Sequence, residues 1–258
     1  MSELTNEYDV IAPFYDIEHA HFSEDLDLYR DYAELHGPYG PILELACGSG
    51  RLLLPLAREG YELTGVDSSA RMLALARQQS EQAGVDMHVT LVQQDIRALH
   101  LEQQFRLAFI ALGSFAHIAT RKEQQQTLAA LRAHLTTGGL FILDISNVDA
   151  RYMEGLSGQL LHQGTWHCPG DTLLTHFVSP ASSTSGHLLE LTHFYDQYRQ
   201  GGPLTRTVIT THLYLFERSE TELLLEQAGF AIKDVYGNYD LSPFENSSPR
   251  MIFIAEAR

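Results

Sequence analysis

Residues 42–67 read ILELACGSGRLLLPLAREGYELTGVD, and this stretch decides the fold. It contains two short apolar runs, 42–46 and 61–67, joined by a loop of small residues and by a segment with helical spacing at 51–59. Short apolar runs that alternate with helical segments are typical of βαβ units, whose parallel strands are buried on both faces. The stretch therefore predicts the start of a doubly wound α/β sheet.

The same alternation continues on the C-terminal side of this stretch. Ser68 and Ser69 can cap a helix that ends at Gly84, and two capping-box patterns, Thr120 with Glu123 and Ser219 with Glu222, predict two further helix starts. We expect the helix that follows Thr120 to stop at the glycine pair 138–139. Further strands are predicted at 87–95, 105–114, 140–146, 231–237 and 250–257. Together these elements form a Rossmann-like, mostly parallel, seven-stranded sheet.

Residues 147–217 differ in composition from the segments on either side. Three runs rich in threonine, aromatic and β-branched residues, at 172–179, 187–198 and 205–216, are separated by turn residues. We predict an antiparallel β meander inserted after the fifth strand of a single domain that spans 1–258. The other parts of that domain are an N-terminal helical cover (1–40), a cofactor-binding core (41–146) and a closing helix with a strand pair (218–258).

Composition limits the classes of partner. The formal net charge is -16, from 17 Lys and Arg against 33 Asp and Glu, so phosphate backbones and anionic membranes would be repelled. We therefore expect no nucleic acid partner and no membrane association. The first residues lack a signal-peptide pattern, and no apolar run approaches the length of a membrane span. With only Cys47 and Cys168 present, a disulfide framework is excluded, and a reducing cytoplasmic location is expected.

The strand ends predict a nucleoside site. In doubly wound sheets ligands bind beyond the carboxyl ends of the strands, where the loop from Glu44 to Arg51 leads into a helix. Asp67, 17 residues after Gly50, can accept hydrogen bonds from both hydroxyls of a ribose. Asp95 and the apolar Ile96 can meet an adenine amino group and ring. A dinucleotide fingerprint would need a glycine three positions after Gly50, where Leu53 stands, so a single nucleoside is favoured.

Residues 42–73, with QQDIRAL at 93–99, resemble the first three motifs of class I S-adenosylmethionine-dependent methyltransferases, and the resemblance extends over residues 5–146. It implies S-adenosylmethionine as the cofactor. In these enzymes the first glycine of the loop is commonly where Ala46 stands, a change of one methyl group. The cofactor-binding residues that the resemblance implies are Tyr15, Glu44, Ala46, Gly48, Gly50, Arg51, Asp67, Ser68, Met72, Asp95, Ile96 and Leu112.

The methyl acceptor is expected to be a small molecule, with an amine as the preferred class. His117 resembles a histidine of the amino-sugar N-methyltransferases, and Tyr15 lies in a segment that resembles their leading helix, so both are candidate catalytic residues. The meander resembles an insert of those enzymes and of the glycine N-methyltransferase group, which encloses the acceptor or builds a homodimer. Candidate acceptor-binding residues are His117, Tyr195, Arg206, Tyr236 and Tyr239.

Several alternatives remain open at this point. An O-methyltransferase of a small hydroxylated molecule and a methyltransferase-like binding scaffold without turnover share the same motifs. A protein methyltransferase fits an enclosed site less well, and an aminopropyl transferase would carry an acidic, glycine-rich loop where LGSFAHI stands at 112–118. A metal site is not expected, because His162, His167, Cys168 and His176 lack a completing ligand at tight spacing.

Overall fold

The computed structural model describes residues 6–148, 155–182 and 187–258, which divide into two compact units. The larger unit comprises Ser23–Asn147 and Phe216–Arg258. Its helices are α2 (Leu26–His36), α3 (Leu53–Arg58), α4 (Ala70–Ala83), α5 (Arg121–Ala133) and α6 (Arg218–Gln227). Its strands are β1 (Ile42–Leu45), β2 (Leu63–Asp67), β3 (Val89–Gln93), β4 (Phe105–Ile110), β5 (Leu135–Ser146), β10 (Phe230–Tyr236) and β11 (Arg250–Ala257).

These seven strands form one sheet in the order β10-β11-β5-β4-β1-β2-β3. β1 pairs in parallel with both β2 and β4, whereas β11 is antiparallel to both of its neighbours. The chain order reverses between β1 and β4, which is the switch point where doubly wound sheets bind ligands. The predicted fold class, a mostly parallel seven-stranded sheet, is confirmed.

The sequence pattern explains these elements because the parallel strands are buried on both faces. All residues of β1 and β2 are buried, and Phe105, Phe109 and Phe141 add fully buried rings to the core. α4 begins at its predicted cap, where the Ser69 hydroxyl accepts a hydrogen bond from the Met72 N–H, and it ends at Gly84 with a left-handed φ of 67°. The burial of apolar side chains and the hydrogen bonds at the helix ends therefore agree on where α4 begins and ends.

Several predicted boundaries are wrong. The strand predicted at 105–114 ends at Ile110 and is followed by a turn. α5 ends at Ala133, and β5 already begins at Leu135, which pairs with Phe105. The glycine at 138, with a φ of 75°, instead lies within β5, where the β4–β5 register shifts. The second capping box also fails, since α6 begins at Arg218 without a side-chain cap and places Ser219 inside its first turn.

The smaller unit comprises Met1–Phe22 and Val148–Leu215. It contains α1 (Glu7–His19) and a four-stranded antiparallel sheet of β6 (Leu161–Cys168), β7 (Thr172–Ser182), β8 (Leu188–Tyr198) and β9 (Leu204–Tyr214). The predicted meander is therefore present, but sequence analysis missed β6. β6 and β9 are the two edge strands of this four-stranded sheet.

Among the residues that the structure describes, no helix is both long and apolar enough to span a membrane.

Candidate functional site

The loop after β1 has an unusual backbone that brings its N–H groups toward the end of β2. Ala46, Gly48 and Gly50 have positive φ angles of 56°, 54° and 87°. The Gly48 N–H donates to the Asp67 Oδ2 atom at 2.8 Å, and the Cys47 N–H donates to the Val66 carbonyl at 3.1 Å. Small residues tolerate this conformation at little steric cost. The predicted loop and the predicted ribose acceptor are therefore adjacent.

Asp67 is held at the carboxyl end of β2 by the backbone around it. Its carboxylate accepts from the Gly48 and Ser69 N–H groups at 2.8 Å each, and the residue is 8% exposed. Ser68 follows it on the surface, and Met72 is buried in the first turn of α4. A carboxylate can accept about four hydrogen bonds. Asp67 is thus a preoriented acceptor at the edge where Ser68 and Met72 also lie.

Glu44 is a buried acid in β1 whose Oε2 atom has no hydrogen-bond partner among the described residues. Burial raises the pKa of Glu44 well above its usual range, although the charge of Arg51 acts in the opposite direction. Arg51 donates two hydrogen bonds to the fully buried Asp25, one of them at 2.7 Å from Nη1 to Oδ1. An unsatisfied buried carboxyl is costly, so Glu44 is suited to a cationic ligand that would ionise it.

Asp95 lies at the end of the next strand, but its carboxylate has partners within the chain. It caps the short 3₁₀ turn Ile96–Ala98 by accepting from the Arg97 N–H at 2.9 Å, and it also accepts from the Arg97 guanidinium. These hydrogen bonds from Arg97 lower the pKa of Asp95. Ile96 is half-buried beside it. Their contact with an adenine stays a prediction.

The turn after β4 carries two predicted residues and is bonded to an acid of β5 that was not among the predicted site residues. Leu112 has a φ of 50°, and His117 ends the 3₁₀ turn Ser114–His117. The Leu112 N–H donates to Oδ2 of the fully buried Asp144 at 2.9 Å. The same oxygen accepts from the Tyr239 hydroxyl at 3.0 Å, and Oδ1 accepts from Arg250 Nε at 2.5 Å. Tyr239 is therefore engaged in a polar cluster beside the turn.

The other candidate residue of this unit is Tyr236, which ends β10 and is half-buried. Sequence analysis missed Asp25, Asp144 and Arg250 as site residues. Their partners are between 26 and 106 positions away in the chain, so no local motif marks them.

Three candidates lie in the smaller unit. Tyr15 of α1 stacks on His19 with ring centroids 4.2 Å apart. Tyr195 is 2% exposed, with its ring 4.2 Å from that of His176. Arg206 is exposed and makes two hydrogen bonds of 2.6 Å to the buried Asp196. A role of these residues in ligand binding stays a prediction.

The histidines of the meander take part in hydrogen bonds. His176 Nδ1 lies 2.6 Å from the Glu18 carboxylate, and His176 Nε2 lies 3.0 Å from His193 Nδ1. The part of the chain that the structure describes contains no group of three or more His, Cys, Asp or Glu residues arranged to hold a metal ion.

The residues of the larger unit fit an S-adenosyl nucleoside with an amino acid end. Asp67 is an oriented acceptor for a ribose diol, and the glycine-rich loop permits close approach of a ligand to the backbone. Glu44 Oε2, a buried acceptor without a hydrogen-bond partner in the described part of the chain, matches an α-ammonium group. A ribose at Asp67 is common to dinucleotides and S-adenosyl nucleosides, whereas the buried carboxyl of Glu44 suits the cationic amino acid end and not a second phosphate.

Comparison with known proteins agrees with this geometry. A family model described as a methyltransferase domain matches residues 42–139. A putative methyltransferase of Bacillus subtilis is 31% identical over 107 residues, which cover 41% of this chain and 42% of that protein. The dTDP-3-amino-3,6-dideoxy-alpha-D-glucopyranose N,N-dimethyltransferase of Streptomyces fradiae is 26% identical over 239 residues, which cover 88% of this chain and 86% of that protein.

A solved structure also matches nearly the whole chain. The CcbJ methyltransferase from Streptomyces caelestis has a TM-score of 0.81 at 23% identity and covers 99% of each chain. At this level of identity the likeness shows the fold.

Proposed function

We propose that the methyl acceptor of this class I S-adenosylmethionine-dependent methyltransferase is the amine nitrogen of a small molecule. The observation that supports the amine is the match along most of both chains to an enzyme named for N,N-dimethylation of an amino sugar. The formal net charge of -16 favours a cationic or neutral acceptor over an anionic one.

Except for Tyr15, the proposed cofactor-binding residues belong to the larger unit. Asp67 would accept from the ribose hydroxyls, Glu44 from the α-ammonium, and the Ala46–Gly50 loop would line the amino acid end. S-adenosylmethionine, when bound, supplies a methyl group activated by a sulfonium. The chain's own contribution is to hold the acceptor nitrogen in line with that methyl group, and orientation of this kind is worth about 7 to 11 kcal/mol.

His117 is the proposed base. It lies in the turn after β4, at the carboxyl edge of the sheet. An amine acceptor is protonated at neutral pH and must lose a proton before its lone pair can attack, and a histidine can accept this proton near neutral pH. Tyr15 is proposed as a further cofactor and catalytic residue, and Tyr195, Arg206, Tyr236 and Tyr239 as acceptor-binding residues.

The test begins with calorimetric titration of the purified chain with S-adenosylhomocysteine. Binding by the wild type, lost in Asp67→Ala and retained in Asp86→Ala, is the expected result, because Asp86 lies in a short turn at the amino end of β3, whereas Asp67 lies at the carboxyl end of β2. A screen of amino sugars and small amines against matched hydroxylated compounds then separates N- from O-methylation. Binding without turnover of any acceptor would favour the scaffold alternative.

The homodimer and the cytoplasmic location stay proposals. β9 is an edge strand with exposed Leu204 and Val208, which are 55% and 53% exposed, and a second copy could cover them. Light scattering of the wild type and of Val208→Lys would show whether a dimer depends on this strand. Both cysteines are free, as a reducing compartment requires.

A further inference from the structure

The turn after β4 is held by a buried acid at the end of β5. Leu112 adopts a φ of 50°, a conformation that favours glycine, and the next residue, Gly113, has a φ of 74°. Both N–H groups of this turn donate to Asp144: Leu112 to the side-chain Oδ2 at 2.9 Å and Gly113 to the backbone carbonyl at 3.0 Å. One residue of β5 therefore anchors two successive left-handed residues.

Asp144 is itself fixed from two further sides. Its Oδ1 accepts from Arg250 Nε at 2.5 Å, and its Oδ2 accepts from the Tyr239 hydroxyl at 3.0 Å. The Arg250 guanidinium also lies over the Tyr239 ring, 5.0 Å from its centroid. Asp144 is fully buried, and Arg250 has 15% of its side chain exposed. The carboxylate is thus held in one orientation by groups from β11 and from the segment between β10 and β11.

This arrangement costs free energy of folding, which indicates that it has a role other than stabilising the fold. A buried ion pair seldom adds stability over apolar residues of similar size, because the desolvation of both charges offsets their attraction. A leucine in a left-handed conformation adds a further cost. Strain of this kind persists where the surrounding structure fixes it and is frequent at ligand sites. Here it fixes the turn that carries Leu112 at the carboxyl edge of the sheet.

We propose that Asp144 is a positioning residue of the cofactor site. Through its bonds to Leu112 and Gly113 it holds the turn after β4 in the shape that receives the amino acid end of the cofactor, and Arg250 and Tyr239 hold Asp144. This inference rests on the proposed function, in which Leu112 contacts the cofactor. Asp144 acts through this turn and does not itself contact the cofactor.

The test compares S-adenosylhomocysteine affinity in Asp144→Asn with the wild type. The amide retains one acceptor oxygen but loses the charge, so the turn is held less firmly, and we expect the affinity to fall about tenfold. The matched control is Asp196→Asn, which also removes the charge of a buried aspartate that accepts from an arginine, but in the smaller unit. Its affinity for S-adenosylhomocysteine should stay within about twofold of the wild type.

A glycine at position 112 separates positioning from general stability. Glycine adopts a φ of 50° without steric cost, so in Leu112→Gly the anchor no longer has to offset the strain of a left-handed leucine. We expect Asp144→Asn to lower affinity much less in the Leu112→Gly background than in the wild-type background. A purely structural role would give the same loss in both backgrounds. If Asp144→Asn does not fold, Tyr239→Phe takes its place in the comparison of the two backgrounds. This variant removes one hydrogen bond to the Asp144 carboxylate.

The outcomes are distinct. Equal losses in the two backgrounds, or unchanged affinity in Asp144→Asn, would overturn the positioning role while leaving the proposed function intact. No binding of S-adenosylhomocysteine by the wild type would instead refute the proposed function, and the positioning role with it. Steady-state kinetics on a confirmed acceptor should show the change in the KM for S-adenosylmethionine more than in kcat.

Discussion

Two tyrosines near Asp144 can show how much a hydrogen bond of a buried hydroxyl contributes to the free energy of unfolding. Tyr29 of α2 is fully buried, and its hydroxyl has no hydrogen-bond partner among the described residues. Tyr239 donates its hydroxyl to Asp144 Oδ2 at 3.0 Å. Burial raises the pKa of both hydroxyls, so each stays protonated at neutral pH. Removing each hydroxyl by substitution with phenylalanine should therefore have opposite effects.

The magnitudes follow from what each hydroxyl does. A hydrogen bond to a charged acceptor contributes about 1.5 to 3 kcal/mol, so Tyr239→Phe should lower the free energy of unfolding by roughly that amount. A buried hydroxyl without a partner carries a desolvation penalty of about 1 to 3 kcal/mol, and Tyr29→Phe removes it while keeping the ring, which packs 4.7 Å from that of Phe109. We expect Tyr29→Phe to be neutral or to raise stability by about 1 kcal/mol.

Urea unfolding followed by circular dichroism gives both values from the shift in midpoint at constant m. Each variant keeps its ring, so loss of packing does not confuse the comparison. If Tyr29→Phe lowered the free energy of unfolding by as much as Tyr239→Phe, its hydroxyl would have a partner, and the reasoning would be refuted. A change in m for either variant would mean that the compactness of one state had changed.

Three further predictions concern the cofactor edge. Gly65→Ala would place a Cβ atom 2.8 Å from Cys47 Sγ and closer still to a leucine methyl, so it should cost about 1 to 3 kcal/mol in urea unfolding, whereas Gly155→Ala, with open space around it, should cost little. Arg97 lowers the pKa of the half-exposed Asp95, so the stability that this pair contributes is present above the unfolded pKa of about 3.9 and is lost as pH falls through the lower folded value. Arg97→Gln should therefore be slightly less stable than the wild type at pH 7, and the difference in urea unfolding should shrink as the pH falls below the unfolded pKa; a difference that does not change with pH would contradict this. Burial raises the pKa of the Cys47 thiol well above its usual range, so iodoacetamide at pH 7.5 should modify the chain's other, partly exposed cysteine first, as peptide mass spectrometry would show.

Sequence patterns predicted the sheet because its parallel strands are buried on both faces. Such strands read as continuous apolar runs, as in the fully buried β1 and β2. β6 was missed for the opposite reason: it is an edge strand whose residues are half-buried or exposed, so no apolar run marks it. The α5–β5 boundary was misplaced because pairing of Leu135 with Phe105 ends the helix before the glycine pair, and that pairing is tertiary.

The cofactor edge was predictable only where its chemistry is local. Asp67 and the Ala46–Gly50 loop follow strand ends directly, and the structure brings them within hydrogen-bond distance. Asp25 and Asp144 were invisible to sequence analysis, because each becomes a site residue through a partner on a distant segment. Local periodicity records burial and helix caps, but it carries no signal for a pair of charges that meets only in the folded chain.

The missed residues also explain why this edge suits a cation. Four buried carboxyl groups, those of Asp25, Glu44, Asp67 and Asp144, lie in the larger unit with two arginines, Arg51 and Arg250, bonded to the first and the last of them. The acids therefore outnumber their arginine partners by two, and burial raises the pKa of Glu44 although the charge of Arg51 acts in the opposite direction. A ligand that carries a sulfonium and an α-ammonium would lower the pKa of Glu44, whereas a dinucleotide would add negative charge to the same edge. The acids without an arginine partner thus favour a ligand that brings positive charge to this part of the larger unit.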